Sequence, residues 1–124
     1  MRTPDSGAAI ALLAGDEPLV APDLVVAEVT NAAWKLVRAG EISGEHGARI
    51  AAAVPAAFSA LVGAARLSAR AFALAHELDH PVYDCLYLAL AEVEDVRMVT
   101  ADRRLLARLR GSGWEELARP LVRA

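Results

Sequence analysis

Apolar residues follow the helical period through long stretches of the chain and collapse into short unbroken runs between them, a pattern that predicts helices alternating with strands. Ser6 to Ala14 is a short Ala/Leu helix pattern preceded by Pro4-Asp5-Ser6 and ended by Gly15. Pro18-Leu19-Val20-Ala21, an apolar run bounded by turn formers, reads as a short buried strand. Pro22 at a first helical position and Asp23 in the first turn then open a strong helix, Asp23 to Ala39, which Gly40 closes. Val25, Val29, Ala33 and Leu36 share one side of it, widened by Val26 and Val37, while Glu28, Asn31 and Lys35 share another.

Glu41 to Ala60 reads as one or two further helices, broken at Pro55. A weak strand pattern at Ala64 to Leu67 precedes a return to helix from Ser68 to Leu78, and Asp79-His80-Pro81 forms a turn. Val82 to Val93 is apolar nearly all round, which predicts a helix buried on most sides. The clearest strand is Val96 to Thr100, followed at once by a helix from Arg103 to Arg110 and a Gly111-Ser112-Gly113 stop. Trp114 to Leu121 is ambiguous and ends in a candidate short strand at Pro120-Leu121-Val122. Short strands alternating with helices indicate an α/β domain with a parallel sheet.

Composition narrows the picture. With 124 residues, 56% of them hydrophobic and 23% charged, the chain fits one domain over residues 1–124 with a real core. No repeat, linker or composition break divides it. The single cysteine, Cys85, excludes an internal disulfide framework and suits a reducing compartment. Neither Val82 to Ala91 nor Ile50 to Ala65 is long and unbroken enough to span a bilayer, and Met1-Arg2-Thr3-Pro4-Asp5 leads into no signal sequence, so a cytoplasmic protein without a membrane partner is expected. The net charge of −3 gives no global attraction to nucleic acid. Arg97, Arg103, Arg104, Arg108 and Arg110 do cluster late, either as a phosphate-contacting patch or, the reading favoured here, as a solvated helix face.

Three acids interrupt or abut apolar patterns: Glu28, Asp84 and Asp102. Glu28 lies on the more polar side of its helix and on pattern alone is a solvated carboxylate. Asp102 immediately precedes a helix, where it either caps the backbone or joins a site. Asp84 is the hardest to dismiss, because it sits in the first turn of a helix without a polar face. Burying an unpaired carboxylate there costs roughly several kcal/mol, of which the helix N-terminus offsets up to about 2 kcal/mol. Its alternatives are a cation ligand and a dipole-stabilised structural acid. Ligands of parallel α/β sheets gather beyond the carboxyl ends of the strands, where helices begin; Asp84 and Asp102 both fall at or near helix starts, and Asp102 comes just off the end of the best strand. Acids converging there would repel unless a hard divalent ion joined them, and oxygen-only ligation suits Mg²⁺ or Mn²⁺.

Val20-Ala21-Pro22-Asp23-Leu24 with Ala27-Glu28-Val29-Thr30-Asn31, then Leu78-Asp79-His80-Pro81-Val82-Tyr83-Asp84 with Tyr87-Leu88-Ala89-Leu90-Ala91, and finally Val99-Thr100-Ala101-Asp102-Arg103-Arg104-Leu105, resemble in order the PIN domains of VapC toxins. The likeness runs over nearly the whole chain. It implies a PIN-like parallel sheet with helices on both sides and an endoribonuclease in which four acidic positions surround one or two Mg²⁺ or Mn²⁺ ions. By that resemblance Glu28, Asp84 and Asp102 match the second, third and fourth acids and are the expected metal ligands, and Thr100 matches a hydroxyl near the last. The resemblance also implies an RNA substrate, a cognate VapB-like antitoxin that occludes the site, and a homodimer.

The chain departs from the family at its start. A member opens with an apolar strand carrying the first metal-binding aspartate, then a helix, and only afterwards a loop like Thr3-Pro4-Asp5-Ser6. The expectation is a chain lacking the first, central strand and first helix, about 20 residues, with unpaired edges left at the strands of Leu19 and Val99. Asp5, without a strand before it, is a helix-start residue and no substitute. The rival reading is a non-catalytic module that keeps an antitoxin-binding or dimer surface. Other residues carry less: His46, His76 and His80 show no paired metal spacing and read as surface or capping residues, Cys85 as a buried structural thiol, and Trp34, Trp114, Tyr83 and Tyr87 as core or interface residues.

Overall fold

The computed structural model describes residues 19–95, 98–100 and 103–120. The helix expected at Ser6 to Ala14, together with Asp5, Val96, Arg97 and Asp102, lies outside the described residues. The elements are β1 (Val20–Pro22), α1 (Leu24–Arg38), α2 (Gly44–Ala53), a 3-10 turn (Val54–Ala57), β2 (Ala60–Val62), α3 (Ala64–Leu78), α4 (Val82–Glu94), β3 (Met98–Thr100), α5 (Arg103–Leu109), a second 3-10 turn (Glu115–Leu117) and β4 (Ala118–Pro120). Helices flank a small parallel sheet, the PIN-like α/β architecture expected from the sequence. Among the described residues the sheet consists of two parallel ladders, β1 on β2 with Val20 opposite Ala60, and β3 on β4 with Met98 opposite Ala118.

Asp23 shows how the first ladder is built. Its backbone N–H donates to the Val62 carbonyl at 2.8 Å, extending the pairing of β1 with β2 by one residue. Its side chain makes no cap bond to its own helix α1; instead Oδ1 accepts the Ala64 N–H at 3.0 Å, satisfying one of the orphan donors at the start of α3. This corrects the strand expected at Ala64 to Leu67. The strand lies earlier, at Ala60–Val62, and Ala64 already opens a helix. The buried residues Leu67, Ala71, Leu74, Ala75 and Leu78 form a helical stripe, so Leu67 heads that stripe rather than ending a strand. Pro55 does break the preceding helix, which Ser43 caps by accepting the His46 N–H at 3.0 Å.

The core centres on α4, where every residue from Asp84 to Ala91 is buried. Its apolar surface on all sides is used: α3 packs along it, and β1, β3 and the second 3-10 turn contact it too. α1 and α2 pack together as a second pair. Val25 and Ala33 of the α1 stripe are buried, while Leu36 at its end is exposed. Trp34 and Tyr83 are exposed and belong to no core, whereas Tyr87 is fully buried and Trp114 is partly buried against the core.

A bidentate ion pair fastens α3 to α4. Arg70 donates from Nε to Glu92 Oε1 at 2.6 Å and from Nη2 to Oε2 at 2.8 Å, while its guanidinium lies over the Trp114 ring. Both side chains are about one-third exposed or more, which limits the bridge to roughly 1 kcal/mol. The bond to Arg70 lowers the Glu92 carboxyl from its ordinary value. A lowered acid stabilises the fold fully above its unfolded-state value of about 4.3 and loses that contribution as the pH falls through the folded value. Arg70→Met should therefore lose about 1 kcal/mol at pH 7 in urea unfolding, and the gap to the wild type should close in acid. A gap that persists undiminished at pH 3 would mean that packing on Trp114, and not the ion pair, sets the value of Arg70.

Candidate functional site

The turn between α3 and α4 builds one wall of the site. Asp79 ends α3 in the left-handed region, φ 54°, a conformation that aspartate tolerates better than most residues. The chain reverses there, and the His80 N–H returns to the Ala75 carbonyl at 3.1 Å. Pro81 follows with an extended ψ of 146° and precedes the first turn of α4. That path turns the His80 side chain inward. His80 is 7% exposed and Asp84 is 8% exposed, and His80 Nε2 lies 2.6 Å from Asp84 Oδ2.

His80 is thus neither a surface residue nor a backbone cap, and the expectation that it was one or the other is corrected. The physical reason is the left-handed turn at Asp79, after which the ring is buried against Asp84 in the first turn of α4. Among the described residues no lysine or arginine pairs with Asp84; its partner is the imidazole. The acid that looked anomalous in the sequence is therefore buried as expected, at the third position of a helix whose N-terminal dipole favours its charge.

One turn further along α4, the fully buried Tyr87 donates its hydroxyl to Glu28 Oε1 at 2.6 Å, joining α4 to α1. Glu28 is half-buried, so the solvated carboxylate read from the pattern of α1 is corrected as well. Its companions Asn31 and Lys35 on that side are exposed, as expected; a residue on a different helix, 59 positions away, draws Glu28 inward. Burial, the bond to Glu28 and the charges of Glu28 and Asp84 all push the Tyr87 phenol upward, so it stays a donor throughout the physiological range. Burial first, and the Asp84 charge second, push the Cys85 thiol up to about 12, which fits an inert core thiol.

The structure therefore gathers Glu28 and Asp84 around one stretch of α4, with Tyr87 on Glu28 and His80 on Asp84, two residues that the sequence had not assigned to the site. Thr100 is the last residue of β3. Among the described residues no group of three or more His, Cys, Asp or Glu residues is close enough to hold a metal ion, and Asp102 lies outside them. The donor set present nonetheless suits a hard cation: Asp84 is a carboxylate with no lysine or arginine of the described residues on it, and it supplies oxygen rather than sulfur or nitrogen. Of the arginines, Arg103, Arg104, Arg108 and Arg110 are exposed, and Arg108 lies 3.5 Å from Asp79. The described residues contain no helix long and apolar enough to cross a membrane.

Comparison with known proteins adds a family. Residues 2–111 match the model of the PIN domain. A search of curated proteins finds no match.

Proposed function

The chain belongs to the PIN-domain family, and from that premise we propose that it is a VapC-like toxin, an endoribonuclease that hydrolyses RNA phosphodiesters with Mg²⁺ or Mn²⁺. The family supports a nuclease; the finer reading rests on the site. Its single strongest support is Asp84, a carboxylate buried in the first turn of a helix apolar nearly all round, with an imidazole as its described partner. A fold gains little from such a group by itself.

In this reading Asp84, Asp102 and Glu28 hold the cation, and Thr100 stands beside Asp102. A divalent ion bound there supplies an activated water and neutralises charge on the leaving oxygen. The protein's own residues do the rest. Tyr87 keeps the Glu28 carboxylate turned toward α4, and its hydroxyl remains protonated while doing so. The buried face of α4 keeps bulk water away from one side of Asp84, which strengthens its attraction for a cation. A cognate VapB-like antitoxin that covers the site and a homodimer complete the proposal, with a cytoplasmic location.

The test is incubation of the purified chain with an RNA pool and Mn²⁺ or Mg²⁺, with EDTA as the control. Cleavage that appears with the metal and stops with EDTA is the expected result, together with a higher melting temperature in Mn²⁺. The absence of both cleavage and a metal-dependent melting shift would overturn the reading in favour of a non-catalytic binding module.

A further inference from the structure

The His80 side chain is almost wholly buried, yet among the described residues its ring makes only half of its possible bonds. Its side chain is 3% exposed, Nε2 sits 2.6 Å from Asp84 Oδ2, and Nδ1 is buried with no hydrogen-bond partner among the described residues. The tautomer follows from that inventory. A carboxylate oxygen only accepts, so the proton facing it is on Nε2, and a further proton on Nδ1 would be a buried N–H without an acceptor.

Two ordinary roles for a buried polar residue do not account for this one. Helix α4 has no side-chain cap bond at its N-terminus, so His80 does not serve the orphan backbone donors there. Nor does the ring knit a satisfied polar network among the described residues, because one of its two nitrogens has no partner there. An apolar side chain at this position would avoid that defect. What the ring does accomplish is to fix one oxygen of one carboxylate: the left-handed Asp79, the His80 N–H bond to Ala75 and the rigid Pro81 hold the backbone on either side of it.

Resting on the metal-hydrolase reading above, we propose that His80 is a positioning residue for Asp84, which locks Oδ2 through its Nε2–H and leaves Oδ1 as the oxygen available to a divalent cation. Groups that hydrogen-bond to a metal-binding side chain set its orientation, and losing one weakens metal affinity by roughly 10- to 100-fold. The imidazole itself ligates nothing; its effect passes entirely through Asp84.

The experiment measures Mn²⁺ dissociation constants of the full chain by electron paramagnetic resonance, for wild type, His80→Phe and His80→Gln. Phenylalanine keeps the ring volume without the donor, and glutamine places an amide N–H near the position of Nε2. His80→Phe should bind Mn²⁺ roughly 10- to 100-fold more weakly, and His80→Gln should recover most of the loss. A folded His80→Phe protein with wild-type affinity overturns the positioning role and leaves the hydrolase reading standing. A wild-type protein that binds no Mn²⁺ overturns both. Should His80→Phe fail to fold, long-range ¹H–¹⁵N spectra of the wild type carry the test: the proton should sit on Nε2 alone, and both ring nitrogens should shift on adding Mg²⁺. A proton on Nδ1 alone, or ring signals indifferent to Mg²⁺, overturns the proposal.

Discussion

Asp84→Asn is expected to weaken Mn²⁺ binding by more than about 100-fold, and metal-dependent RNA cleavage with it, while leaving the metal-free protein as stable as the wild type or more so. The two effects have opposite signs for one reason. Without a cation, the Asp84 carboxylate is an ion at 8% exposure, stabilised by a helix N-terminus and one imidazole bond. The dipole contributes up to about 2 kcal/mol, against a burial cost of roughly several kcal/mol. Asparagine removes the charge and keeps an oxygen that can accept from His80 Nε2, so the fold gives up little. The cation gives up a negatively charged ligand, a larger loss than the 10- to 100-fold typical of removing a group behind a ligand. Melting curves separate the two effects. At a Mn²⁺ concentration about 100 times its dissociation constant the wild type gains about 2.7 kcal/mol of stability, and Asp84→Asn should gain almost none. A variant that Mn²⁺ stabilises as strongly as the wild type would remove Asp84 from the site.

That contrast also explains why Asp84 was legible in the sequence. A charged residue within a helix apolar on every side is a local contradiction, visible without any knowledge of its neighbours, and such contradictions concentrate at functional sites. The helices were legible for a similar reason: the stripe from Val25 to Ala33 and the nearly all-round apolar run of α4 carry their burial in their own pattern. Glu28 was legible only through the family resemblance. Its own helix assigns it to a polar side, and the bond from Tyr87 of α4 that draws it inward is a relation that no local pattern contains. His80 was hidden by backbone geometry, since the inward turn depends on a left-handed Asp79 and the sequence Asp-His-Pro announces a turn without giving its direction. β2 was displaced by four residues because the decisive partner, the Asp23 side chain at the start of α3, lies across the ladder rather than beside it in sequence.

Tyr87 is where fold and site meet, and substituting it should separate their contributions. Tyr87→Ala removes a fully buried ring from the centre of α4 and should cost about 3–5 kcal/mol, a large share of the 5–15 kcal/mol that holds an ordinary domain together. Tyr87→Phe keeps the ring and deletes only the hydroxyl. A hydrogen bond to a charged group is worth about 1.5–3 kcal/mol, and because Glu28 is half-buried and water can partly replace the lost donor, the expected cost lies near the lower end. Urea unfolding with an unchanged denaturant slope checks both values. The same Phe protein should bind Mn²⁺ more weakly than wild type, because Glu28 loses the bond that turns it toward α4. The order of effects is the discriminating feature: Ala should be far worse than Phe for stability, while for metal affinity Phe alone should already show the loss. A Tyr87→Phe protein equal to wild type on both scales would reduce the bond between α1 and α4 to incidental contact and leave Glu28 without a demonstrated tie to Asp84.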